Sequence, residues 1–124
     1  MDRISSYLLP LLVSLTLSGP VLADSPGPLT ERDTFVDMVA GRELTLPLLG
    51  VSIKVDPSGV INGSAMGWPV TGQWRWENGL FCRSMDWSGT EIPPNCQLVE
   101  VVAEDRLRFT SDAGQGMTAV FRLR

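Results

Sequence analysis

The sequence predicts a mainly β fold: a small antiparallel β-barrel or strongly bent meander sheet of seven or eight strands, with one short N-terminal helix. Three observations lead there. Apolar and polar residues alternate in short runs from Leu44 to the end of the chain. Turn signals separate those runs at roughly 8–12 residues, so connections are short and neighbouring strands antiparallel. Only Thr30 to Ala40 carries a helical spacing of apolar residues.

Residues 1–23 have the parts of a secretory signal peptide. Arg3 supplies the basic start, Leu8 to Leu17 the apolar core, and Gly19-Pro20 the break before Val21-Leu22-Ala23, with cleavage expected before Asp24. The apolar run is shorter than the roughly 20 residues that span a bilayer. Residues 24–29 (DSPGPL) read as a flexible, proline-rich lead, and 30–124 as a single β-rich domain. The first element is the helix. Thr30 and Asp33 approximate a capping box, Phe35, Val36, Met38 and Val39 give the apolar stripe, and Gly41 is the stop.

Strands follow. Leu44, Leu46 and Leu48 alternate, then Val51, Ile53 and Val55, and Asp56-Pro57-Ser58-Gly59 is a turn. A return strand from Val60 runs through the glycine-rich segment Gly63 to Gly67. Val70, Gly72, Trp74 and Trp76 share one face; Thr71, Gln73, Arg75 and Glu77 share the other. Asn78-Gly79 is the strongest hairpin signal in the chain. It sets Trp76 against Phe81 and Trp74 against Arg83 on the returning strand, Leu80 to Trp87. Ser88 to Asn95 reads as a polar loop because it holds Pro93-Pro94. Cys96 to Ala103, Leu107 with Phe109, and Met117 to Leu123 complete the strands.

Composition narrows the chemistry. There is no histidine, so histidine-based acid–base catalysis and metal ligation are excluded. Ten basic and fourteen acidic residues give a net charge of −4, and Lys54 is the one lysine. Without a basic patch, neither nucleic acid nor an anionic membrane is an expected partner. Cys82 and Cys96 are the two cysteines, and in an oxidising compartment they pair as a disulfide. A catalytic thiol would need a neighbouring base, normally histidine. A periplasmic or secreted location is therefore expected.

The stretches Gly41-Arg42-Glu43-Leu44-Thr45, Thr71 to Arg83 with its Trp-x-Trp and Phe-Cys-Arg, Asn95-Cys96-Gln97 and Leu107 to Asp112 resemble a family of small exported proteins. Its members are mostly alphaproteobacterial and of unknown function; some bear the label dihydrodipicolinate reductase. The resemblance covers most of residues 24–124 and implies export and paired cysteines. It brings no catalytic residues. A reductase of that kind requires a nucleotide-binding βαβ unit. The only matching spacing, Gly114-x-Gly116-x-x-Ala119, lies near the end of the sequence with no acidic residue about 20 positions on.

The candidate site is aromatic. Trp74, Trp76 and Trp87, with Trp68 nearby, either fill the core or line a cavity for an apolar or sugar ligand. Pairing with Trp74 would put Arg83 on the tryptophan face, where an inward arginine requires an acidic partner or an anionic ligand; the plainer reading of Arg75, Glu77, Arg83 and Asp86 is a set of surface ion pairs. Trp74, Trp76, Arg83 and Trp87 are thus the expected ligand-binding residues, without metal or cofactor. The expected function is a non-catalytic binding or inhibitor-type module for an unidentified small molecule or protein surface. The alternatives are a structural envelope protein, or an enzyme working through carboxylates alone.

Overall fold

A computed structural model describes residues 26–124, together with the isolated positions 10, 13 and 14. The expected signal peptide and its cleavage point lie outside that described stretch. Nine strands form one sheet: β1 (Gly27–Leu29), β2 (Leu44–Leu46), β3 (Val51–Val55), β4 (Val60–Ala65), β5 (Trp68–Glu77), β6 (Leu80–Trp87), β7 (Thr90–Ala103), β8 (Arg106–Thr110) and β9 (Thr118–Leu123). Strands β2 to β9 pair in sequence order, and β9 pairs back to β2, closing an eight-stranded antiparallel barrel. β1 is an extra strand on β7, with Leu29 opposite Val99. It continues the line of β6 beyond the Asn78-Gly79 turn, because β6 meets β7 only up to Gln97. Residues 27–29 of the expected flexible lead are therefore paired.

Helix α1 (Arg32–Val39) follows β1 and buries Phe35, Met38 and Val39 in one end of the barrel. The predicted capping box does not form. Thr30 still belongs to the extended entry, Glu31 holds the cap position without a side-chain bond, and the Thr30 carbonyl accepts from Trp76 Nε1 at 2.9 Å. Gly41, at φ 72°, ends the helix as expected.

The expected alternation of Leu44, Leu46 and Leu48 stops early. Leu46 closes β2, and Pro47–Leu49 make a single 3₁₀ turn that leaves Leu48 outside the barrel. The expected loop 88–95 is largely strand. Ser88-Gly89 makes a tight turn, and Thr90 already pairs with Trp87. The prolines are absorbed by a bulge, with Arg83 opposite Asn95 and Met85 opposite Ile92. Proline has no N–H for the ladder, so Pro93 and Pro94 sit where pairing is interrupted.

The barrel curls tightly because glycine lets strands approach. A Cβ on Gly72 would lie 2.3 Å from Ser84 O, and one on Gly63 would lie 2.2 Å from Ser52 O. The core runs through the interior, with Phe35, Leu44, Ile61, Val99 and Leu107 almost fully enclosed. The Cys82–Cys96 disulfide joins directly opposed residues of β6 and β7. Among the described residues no helix is long and apolar enough to cross a membrane.

Candidate functional site

Strand alternation decides which side chains enter the barrel. On β5 the inward set is Val70, Gly72, Trp74 and Trp76. The hairpin register sets Trp87, Met85, Arg83 and Phe81 beside them in that order. Arg83 therefore faces inward, at mid-height in the wall.

The two ends of the barrel differ. One is closed by α1. Phe35 stacks on Trp76 at a ring separation of 5.1 Å, meets Trp74 edge-on at 5.5 Å, and lies 5.2 Å from Phe81. Arg32 sits 5.2 Å over the Trp74 ring and donates from Nη2 to Pro57 O at 2.8 Å. Trp74 Nε1 donates to Asp56 O at 2.7 Å. The helix is thus a floor fastened by packing and by hydrogen bonds.

Above that floor the barrel is hollow. The cavity has a volume of about 360 Å³. Leu44, Ile53, Val55 and Ile61 line it from β2, β3 and β4, and Phe109, Ala119 and Phe121 from the adjoining β8 and β9. Phe81 is at the base, while Met85 and Met117 are nearer the mouth. Polar lining is confined to Gln97, Ser111, Thr118 and Arg83, and Arg83 is the one charged residue among them. A second hollow, along the disulfide, is more polar and is bordered by Gln73, Arg75, Ser84 and Asn95, and by Arg83, which thus touches both hollows.

The mouth is shaped by short connections. Met66-Gly67 and Ser88-Gly89 are two-residue turns with positive φ throughout. The helical turn α2 (Ser111–Gly114) carries left-handed Asp112 and Ala113. Asn95 pins it to β7: its amide donates to Asp112 Oδ1 at 2.7 Å, and its Oδ1 accepts from Asp112 N at 2.9 Å. Leu48, Leu49, Met66 and Met117 stand exposed on connections at this end, and Trp68 is exposed at the start of β5.

Arg83 is half-buried, and burial lowers its pKa from the ordinary value while leaving it cationic at neutral pH. Its Nη1 donates to Pro93 O at 2.6 Å, a carbonyl at the bulge. Four ion pairs occur among the described residues, and none includes Arg83. Arg75, on the opposite face, pairs with Glu77 at 2.7 Å.

Of the four expected ligand residues, only Arg83 lines the cavity. Trp74 and Trp76 build the floor with Phe35. Trp87 lies near the rim with Trp68, its Nε1 bonded to Ala65 O at 3.0 Å. The three indole N–H groups are thus satisfied within the protein. The sequence did not reveal Leu44 and Phe121 as neighbours on one stretch of wall, because nothing local signals that β2 and β9 close the ring.

Gly114 to Ala119 leads into β9 rather than into a helix, and the sheet contains no parallel pair. Among the described residues no three His, Cys, Asp or Glu side chains gather as a metal site. Compared with protein-family models, curated proteins and solved structures, the chain matches none.

Proposed function

We propose that the protein is an exported, non-catalytic binding module that takes an apolar small molecule into the barrel. The observation that carries this reading is the hollow above the helical floor. At about 360 Å³ it falls within the usual range of small-molecule sites. Its walls are aliphatic and aromatic, and its few polar groups lie where they can orient a guest. Export is supported by the leader-like sequence of 1–23 and by the disulfide, which suits an oxidising compartment.

The test fills the hollow. Ala119 is a small residue on the cavity wall. A polarity-sensitive fluorescent probe is expected to bind the native protein with one saturable site and to lose that site in Ala119→Phe. Thermal unfolding of the variant checks that it still folds. Undiminished probe binding by a folded Ala119→Phe protein would overturn an interior site.

A further inference from the structure

We infer that the cavity is built for an amphipathic monoanion: a single-chain aliphatic carboxylate whose head meets Arg83 and whose tail lies along Ile53, Ile61 and Phe121. This deepens the interior-site reading above and rests on it.

The argument begins with charge. A guanidinium facing an apolar interior loses hydration, and that loss is offset only by a counter-charge or by hydrogen bonds. Arg83 has no carboxylate within ion-pair distance. Asp112 is held at Asn95, opposite Arg83 across the strands, and its Oδ1 accepts the Asn95 amide. A guanidinium carries five N–H donors, and the bond to Pro93 O engages Nη1. The remaining donors form a planar fork that matches a carboxylate.

The lining sets the valence of the guest. Arg83 is the only charged residue on the cavity wall, so one negative charge is balanced and a second is not. Gln97 and Ser111 add neutral donors. Volume sets the length. About 360 Å³ is near the lower end of ligand cavities, which suits one short chain rather than a two-chain lipid. Apart from Thr118 and the thioethers of Met85 and Met117, the remaining wall offers a tail hydrocarbon and aromatic contact.

The experiment titrates sodium salts of straight-chain monocarboxylates, hexanoate to dodecanoate, into the full-length protein, with decanol as the neutral comparison. Affinity is expected to rise about fourfold per added methylene until the cavity is full, and then to level off. Decanol is expected to bind about tenfold or more weakly than decanoate, since a charge-assisted hydrogen bond is lost. Arg83→Gln is expected to bring decanoate down to the level of decanol and leave decanol unchanged. Arg83→Lys, which keeps the interior cation, retains the preference for the acid. Equal binding of decanoate and decanol by the native protein overturns the anion inference and leaves the apolar site standing. A preference for the acid that survives in a folded Arg83→Gln protein also overturns it. Failure of both compounds to bind overturns the inference together with the reading beneath it.

Discussion

Gly72 and Asp56 show how single residues hold the barrel's shape. Gly72 faces inward where β5 and β6 press together, and an added Cβ would lie 2.8 Å from Met85 Cγ as well as against Ser84 O. Backbone cannot yield as a side chain does, so Gly72→Ala is expected to destabilise the fold by about 1–3 kcal/mol, measured by denaturant unfolding. Asp56 opens the turn between β3 and β4. The Ser58 hydroxyl, and then the Ser58 amide at 2.8 Å, hold its carboxyl below the ordinary value of 3.8. A depressed carboxylate pKa stabilises the fold fully above the unfolded value and stops doing so as pH falls through the folded one. The gap in Tm between the native protein and Asp56→Ala is therefore expected to narrow in acid below that ordinary value. A gap that widens there would contradict this. The pairing of Arg83 with Trp74 was legible in the sequence, because the Asn-Gly turn fixes the count of residues on each side. The missing acidic partner of Arg83 was not, since that depends on strands distant in sequence.

At the scale of elements, turn chemistry explains what could be read. Asn78-Gly79 was plain because both residues tolerate positive φ. Met66-Gly67 and Ser88-Gly89 make the same kind of turn with poorer first residues. Ser88-Gly89 was consequently absorbed into an expected loop that also contained two prolines. In the structure those prolines mark a bulge within the fourteen-residue strand β7. The same strand carries Cys96, fourteen positions from Cys82. Closing a ring of about 15 residues stabilises by roughly 3 kcal/mol in the chain-entropy model. Reduction, or Cys82→Ser with Cys96→Ser, is expected to lower Tm by roughly 10–20 °C. A change of only a degree or two would show that the β6–β7 turn alone restricts the unfolded chain. The helix was legible in its apolar stripe and its glycine stop. Its start was not, because Thr30 is committed to the extended entry and to Trp76.

For the molecule as a whole, the alternation from Leu44 to Leu123 announced strands, and short connections announced a meander. Closure was left open between a barrel and a bent sheet, and it is the pairing of Leu44 with Leu123 that decides it. That pairing also governs the order of assembly. The floor helix rests partly on Phe109, and β1 rests on Val99 to Val101, so early-made parts seat on late-made ones. A chain emerging from its N-terminus holds a growing open sheet with two raw edges until β9 is free. Such long-range closure belongs to the slow, millisecond-to-second class of folding. Unpaired edges are where chains stick to one another. The circular order of the strands thus keeps both borders of the sheet open until its final segment arrives.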